Sequence, residues 1–575
     1  MRTIDHKVEF CVVGGGLAGM CAAISAARLG IKTLLMHDRP VLGGNASSEI
    51  RMWVCGAHGK DNLETGLVEE IRLENLYRNN YPNYSVWDSI LYEKVKFQDN
   101  LTVLLNCSCN DAEMDGSKIK NIRGWQLTNE TWHNVEADYF ADCSGDSILA
   151  PLSGAEFRYG REAFSEFDES IEPEEADDKT MGMSCLIQAR ETDSPQKFIA
   201  PAWANKYESE ADLPNRSLKL EGMQNFWWLE IGGLQDTVHD CEEIRDELLK
   251  LAFGVWDLIK NRSEAKADNW VLDWVGFLPG KRESRRYVGD HIITQNDVES
   301  EGKFDDIVAF GGWSMDDHHP QGIYYPGKPT IFHPAPSPYG IPYRSLYSKN
   351  IDNLFFAGRN ISATHAAMSS TRVMATCGLL GQAVGTAAAL ASQNTLSPRG
   401  VYQEKLKELQ AQLQEDDCWL PGLKREVPEL TMQAQLAASG GICDDIRNGY
   451  DRPSGEAQNC CFVKEGDYIE YRFEELQDIS KIRIVFDSDL NREYHNMLSY
   501  YPLNMPEFKT PETIVKSFKL TLEKADGSIE EIFSTDNNYQ RLFRLNLSEQ
   551  VKAVRLTIND DREDDPARIF AFEVS

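Results

Sequence analysis

The chain has 575 residues, 42% of them hydrophobic and 12 of them Trp, which is enough for several packed cores and too much for a disordered protein. Asp and Glu number 91 against 59 Lys and Arg, and the formal charge of −32 excludes nucleic acid and anionic membrane surfaces as natural partners. The 13 Cys contain no CxxC pair, and their odd number argues against a disulfide scaffold and against zinc or iron–sulfur ligation, so no metal is expected. The opening MRTIDHKVEF lacks the apolar core of a signal peptide, and the apolar helices further on are interrupted by Gly and polar residues. The reading is a cytoplasmic protein of a reducing compartment with no membrane span.

Residues 8–37, VEFCVVGGGLAGMCAAISAARLGIKTLLMH, come first in the chain and in importance. An apolar strand runs into Gly14-x-Gly16-x-x-Gly19, then an Ala-rich helix, Gly30 and a second apolar strand. In such a unit Gly14 makes the tight turn, Gly16 lets the backbone approach a pyrophosphate, and Gly19 permits close helix–sheet packing. The phosphates rest on the helix N-terminus, where unpaired N–H groups favour anions. A dinucleotide site is expected here.

The turn VLGGNASSEIRMWVCGAHG follows, and residues 62–80 predict an amphipathic helix. Strands are expected over 101–115, 119–129 and 132–145, the last ending at Ser144-Gly145-Asp146, a place where open α/β sheets put ligands. Residues 160–180 read as an acidic loop, and 181–335 as a separate mixed α/β lobe rich in Trp. NLFFAGRN (353–360) predicts a short strand with a glycine turn, leading into a long small-residue helix over 370–392. A helical linker over 402–414 gives way beyond residue 430 to strand-like runs at 467–473, 480–488, 517–525 and 553–560, the pattern of an all-β sandwich.

The N-terminal βαβ unit, the LGGN turn, the FADCSGD strand end and the NLFFAGRN–helix segment together resemble the FAD-dependent oxidoreductases related to fumarate reductase and the glutathione-reductase-like flavin fold. The resemblance implies an α/β fold with a discontinuous Rossmann-like FAD-binding domain (1–160 and 336–400), an inserted α+β substrate lobe (161–335), a helical linker (401–429) and the sandwich (430–575). The sandwich itself is similar to discoidin-like or galactose-binding-like modules. By the same resemblance Gly14, Gly16, Leu17 and Ala18 face the FAD pyrophosphate, Gly43, Gly44 and Asn45 line the next loop, and Ser144 and Gly145 lie on the adenosine side. Gly358 and Arg359 approach the ribitol and pyrophosphate, while Thr371, Arg372 and Val373 point a helix start at the flavin pyrimidine edge. Two positions depart from the family pattern. His37, followed by Asp38 and Arg39, stands where an acidic residue grips the ribose, and Arg359 stands where relatives carry Asp.

Flavin chemistry needs a proton donor or acceptor and cations that hold polar groups. Glu49, Arg51 and His58 follow the LGGN turn, and His58 or Cys55 are conceivable covalent anchors for the flavin. Arg282, Glu283, Arg285 and Arg286 lie in GKRESRRYVGDH. Asp316, Asp317, His318 and His319 share one polar turn, and His365 sits between the late strand and the long helix. His365 and His319 lead the candidates, then His58, with Arg285, Arg286 and Asp316 in support. No second glycine fingerprint of equal quality follows, so a separate electron donor or acceptor is expected rather than a bound nicotinamide. The leading function is FAD-dependent hydride transfer with a small polar substrate, a carbohydrate oxidised at C–OH or C–N. Alternatives are reduction or oxidation of a C=C bond in a carboxylated substrate, clamped by Arg285 and Arg286, and a glycan-binding protein whose flavin domain is structural.

Overall fold

Strand β1 (Arg2–Val13), helix α1 (Leu17–Arg28) and strand β2 (Thr33–Met36) form the expected βαβ unit. Strands β3 (Leu101–Leu104), β4 (Cys107–Asp115), β5 (Lys118–Gln126) and β6 (Thr131–Asp142) complete its sheet, joined by Leu354–Phe356. This is a computed structural model, and it describes residues 2–220, 225–441, 443–492, 507–562 and 566–575. One row of residues, Val103, Leu35, Val12, Ala141 and Phe355, crosses five parallel strands in register. The apolar run of each central strand is therefore covered on both faces, as parallel sheets require. All five strands end at one edge, and Gly14, His37, Ser144 and Gly358 follow those ends.

The segment read as one strand over 101–115 is two. Asn106 has a φ of +52°, a left-handed turn that ends the parallel pairing of β3 and starts an antiparallel meander, β4–β5–β6. The long helix also starts later than expected, at Met374, after a separate turn of helix over His365–Thr371. The Met374–Asn394 helix lies against α1. A Cβ at Gly381 would stand 2.0 Å from the Ala18 carbonyl oxygen, and one at Gly385 would stand 2.2 Å from that of Ala22, so only glycine allows this approach. By length and hydropathy this is the one helix among the described residues suited to crossing a membrane, and 89% of its most apolar stretch is buried inside the protein. The aromatic-rich lobe packs Trp228 and Trp270 in one core with Trp256 of the helix Cys241–Asn261, beside the antiparallel pair Ile187–Glu191 and Trp270–Val275.

The chain divides into two compact units, and the residues Gly59–Asn80, including the helix Leu67–Arg78, group with the second, together with the chain beyond Ala411. Within that unit the runs 467–473 and 480–488 are the two halves of a single strand, Tyr468–Phe486, and 553–560 is the second half of Leu542–Asp560. Register shifts between Arg472 and Gln477, and between Ile479 and Lys481, bend the first strand. Its early half pairs with Gln435–Ala438, and its late half pairs with Ala567–Val574. The two long strands thus pass from one layer to the other, and Ile469, Tyr471, Ile482, Ile484, Leu556 and Phe572 meet in the core between. All pairings in this unit are antiparallel, which makes it an all-β sandwich.

Cys443 and Cys461 form a disulfide inside the sandwich unit, the one pair among the described cysteines. An odd cysteine total does not prevent one pair from forming, and a single bridge is not a disulfide scaffold.

Candidate active site

The carboxyl edge of the parallel sheet is built to receive an extended anion. Gly14 turns with φ +107°, and a Cβ there would stand 2.4 Å from the Cys143 carbonyl. A Cβ at Gly19 would stand 1.8 Å from the Gly14 oxygen, so α1 can rest on the turn only with glycine at this position. Gly16 is different. A Cβ there would meet nothing nearer than the Gly44 Cα at 3.8 Å, so the opening above it is left for a ligand. The first bond inside α1 runs from the Met20 N–H to the Gly16 carbonyl, and no side chain caps the helix, so the Leu17, Ala18 and Gly19 amides have no acceptor within it. Gly16 and Gly43 pair as an isolated bridge, which brings the LGGN turn alongside.

Three arginines around this edge hold buried nitrogens without a hydrogen bond: Arg39 Nη1, which has only a 3.6 Å ion pair with Glu49, Arg359 Nε and Arg372 Nε. Unpaired helix amides, a glycine opening and orphaned guanidinium nitrogens together suit a dinucleotide diphosphate and an electron-rich ring. Arg359 also donates to Asp146 at 2.7 Å, and Lys281 does so at 2.8 Å. Burial opposes the charge on Asp146, but Lys281 and Arg359 outweigh it and hold the carboxyl well below its ordinary range. Arginine thus occupies the expected aspartate position with its charge anchored by a neighbouring acid.

His37 is a correction at the level of the side chain. It is buried, its Nδ1 accepts from the Gly15 N–H at 3.0 Å, and its Nε2 lies 3.0 Å from the Val41 carbonyl. With both nitrogens engaged it shapes the glycine turn and has none left for a ribose hydroxyl. Asp38, at 3.2 Å from His37, has the exposed side chain of the pair. Ser144 likewise turns inward, donating its hydroxyl to the buried Asp142 at 2.6 Å. Asn45 donates to the Lys281 carbonyl at 3.0 Å.

The catalytic candidates gather on two faces of one short strand, Met315–His318, paired with Thr330–His333. On one face His318 lies between Glu230 at 2.6 Å and Asp316 at 3.2 Å, and Arg372 donates to the same Asp316 carboxylate at 3.2 Å. Arg282 stands 3.4 Å from Glu230 and donates to the Ser184 hydroxyl and the Trp227 carbonyl. Burial works against a charged His318, but Glu230 and then Asp316 raise its pKa above the ordinary value. On the other face His365 faces Glu283 at 2.9 Å through Nδ1 and Asp317 at 3.3 Å through Nε2. Burial again opposes the charge, and Glu283 and Asp317 override it, so His365 is held well above its ordinary pKa. Both buried histidines are therefore biased toward the protonated form by the acids that flank them.

Arg286 is enclosed in the second cluster. It donates to Glu162, to Glu283 and to the Gly160 and Ala363 carbonyls. Arg285, its sequence neighbour, is half-buried, donates to the Asp146 carbonyl and lies over the Phe157 ring. The carboxylate clamp expected of the two is not supported by the position of Arg286, which is buried and gives four of its five N–H donors to protein partners. His319 lies beyond the strand, stacked on Tyr325 at 3.6 Å with its pKa lowered by burial. His58 is exposed and stacks on Trp313 at 4.2 Å, and nearby the Cys55 carbonyl accepts from Ala375 in the first turn of the long helix. Glu49 stands 3.6 Å from Arg39, and Arg51 lies between the rings of Tyr84 and Trp274.

Three members were not singled out from the sequence. Glu230 sits on a two-residue strand in the lobe, and Glu162 and Glu172 come from the acidic loop. No sequence period marks them. Glu172 is 8% exposed, and neither of its carboxylate oxygens has a hydrogen-bond partner.

A parallel-sheet dinucleotide cradle joined to a buried cationic cluster at a helix start defines a flavin-dependent redox site. The chain matches the FAD dependent oxidoreductase family over residues 9–413 and belongs to it, and its cofactor is FAD. Among solved structures, the family 32 carbohydrate-binding module of Streptococcus pneumoniae EndoD is 12% identical over 26% of this chain and 97% of its own, with a TM-score of 0.20. The lectin domain of lectinolysin, in complex with Lewis B antigen, is 9% identical over 26% of this chain and 97% of its own, with a TM-score of 0.19. A Clostridium perfringens family 32 module, in complex with GalNAc-β-1,3-galactose, is 10% identical over 25% of this chain and 96% of its own, with a TM-score of 0.18.

Proposed function

We propose that this FAD-dependent oxidoreductase moves hydride between the flavin and a small polar substrate, a carbohydrate, at a C–OH or C–N bond. The observation that carries the reading is the Arg372–Asp316–His318–Glu230 chain at the start of the Met374–Asn394 helix. Arg282 and Arg372 face the two carboxylates Glu230 and Asp316, and His318 between those carboxylates is biased toward its charged form. Bound FAD supplies the hydride-accepting ring. The cationic cluster favours negative charge where that ring and its substrate meet, in a site preorganised by burial.

Both buried histidines are biased toward the protonated form, so neither suits the role of proton acceptor. We assign the substrate proton to His58, the exposed imidazole, whose stack on Trp313 fixes its plane. Trp313 beside His58 and Trp227 beside His318 each put an aromatic ring next to a polar group, the pairing that suits a sugar ring apolar on its C–H faces and polar at its edge. Action on a C=C bond lacks support here, because Arg286 is consumed by protein partners.

The test is an anaerobic spectrum of the holoprotein against monosaccharides, glycosides and amino sugars. Bleaching by one sugar, slowed in His58→Ala with FAD still bound, is the expected result. A flavin that stays oxidised with every sugar, but is reoxidised from its reduced form by an unsaturated carboxylic acid, would overturn the reading. NADH alone is expected to leave the flavin oxidised.

A further inference from the structure

The cluster around His365 has more carboxyl groups than its cations can balance. Glu162, Glu169, Glu172, Glu283 and Asp317 surround Arg286 and His365. A third cation, Arg161, reaches the same cluster electrostatically but is held by Asp177 through two hydrogen bonds. Each of the other acids is compensated. Glu162 and Glu283 bind Arg286, Asp317 binds His365, and Glu169 accepts from Thr364 and from the Gln295 N–H. Glu172 alone has no hydrogen bond on either oxygen. A buried carboxylate without a cation or donor is costly, so the group is stored as the neutral acid. Beside this cluster a cavity of about 260 Å³ is lined by Arg158, Arg161, Glu162 and Asp177 and so reaches the cluster at Glu162, while Glu172 itself keeps 8% of its surface exposed.

We propose that Glu172 is a proton reservoir for the redox site: the fraction of it that is ionised takes a proton from water when the flavin end gains negative charge and returns it on reoxidation. The step is a single O–H bond made or broken on Glu172, with the water that reaches its slightly exposed side chain as the other proton carrier. It needs no further reactant, because the electrons come from the established flavin chemistry. Glu172 touches neither substrate nor cofactor and works through the charge of the His365 cluster, so it is a positioning residue. The groups that set its state are His365, Glu162, Glu169, Arg286 and Arg161. Burial is the largest influence and holds the proton on up to about pH 7, against the opposing charge of His365. The inference depends on the flavin and not on the identity of the substrate.

Two measurements on the holoprotein decide it. In the infrared, a protonated-carboxyl band is expected in the wild type at about pH 6, absent in Glu172→Gln and retained in Glu169→Gln. The flavin midpoint potential is then followed with pH. Wild type and Glu172→Gln should agree at about pH 5.5, and the wild type should fall below the variant by about pH 8.5, where only the wild type carries the extra negative charge. No band in the wild type, or a band that survives Glu172→Gln, overturns the stored proton. A lost band with potentials that never diverge overturns the coupling while leaving the flavin assignment intact. Should Glu172→Gln fail to fold, Glu172→Asp keeps the carboxyl, and a wild-type band that does not titrate between these pH values is equally fatal.

Discussion

The two faces of Met315–His318 solve opposite electrostatic problems a few ångströms apart. Toward Arg372 the cations Arg282 and Arg372 face Glu230 and Asp316, and His318 between those carboxylates is biased toward its charged form. Toward His365 the carboxyl groups outnumber the cations. Each face centres on one buried imidazole held between two acids. The difference shows that a clamped histidine has no fixed role. It is part of an anion-receiving surface on one side and the counterweight to surplus acid on the other. The alternation of side chains along a strand keeps the two environments apart.

The largest expected effect is Arg286→Leu, which leaves Glu162 and Glu283 without their cation and should cost about 3–5 kcal/mol in denaturant unfolding of the holoprotein. A loss under 1 kcal/mol would mean that the acid-rich face does not depend on charge balance. Next is the pH response of that face. The folded pKa of Glu172, about 7, lies above its ordinary 4.5, so its stabilising contribution is complete below pH 4.5 and is lost as pH rises through 7. Relative to wild type, Glu172→Gln should therefore gain up to about 3 kcal/mol between those limits. Asp316 behaves oppositely, because its pKa is held below the ordinary 3.8 by His318 and Arg372 despite burial. Its contribution is present above pH 3.8 and disappears only on further acidification. If Glu172→Gln and Asp316→Asn change stability over the same pH range, the contrast between the faces is broken.

Arg372→Leu removes one charged partner of Asp316 while leaving His318 and Thr330, so a loss of about 1.5–3 kcal/mol is expected, read as weaker FAD retention in dialysis as well as lower stability. The smallest effect is Thr330→Val, which deletes one hydroxyl bond to Asp316 and should cost about 1–2 kcal/mol with FAD retained. Loss of flavin in Thr330→Val would place that side chain nearer the cofactor than the hydrogen bonds imply.

The glycine cradle was legible because Gly14 and Gly19 answer to steric demands that no other residue meets. The order of its blocks, the inserted lobe and the β-rich end were legible for a similar reason, since apolar runs and turn residues mark elements directly. The histidines were not. His318 and His319 are adjacent, and which one enters the core depends on where the strand begins and what it pairs with, facts absent from the residues themselves. The acidic loop misled because composition does not say which glutamates turn inward. Its segment Arg161–Asp177 is closed by a two-residue bridge that folds Glu162, Glu169 and Glu172 inside. The long strands Tyr468–Phe486 and Leu542–Asp560 each looked like separate pieces, because polar residues at their bends interrupt the alternation.

The contact of Gly381 with Ala18, and of Gly385 with Ala22, sets α1 and the Met374–Asn394 helix side by side and pointing the same way. Seven residues precede Gly381 in its helix and one precedes Ala18 in α1, so the second helix begins about 9 Å further out, at 1.5 Å per residue. The two glycines therefore act as a ruler. A ligand whose diphosphate meets one helix start and whose ring meets the other must bridge that step, and an insertion of one turn in either helix would lengthen or shorten it by about 5.4 Å. The stagger of the two helix starts is thus fixed by two glycine contacts, one at Ala18 in the first turn of α1 and one a turn further along at Ala22.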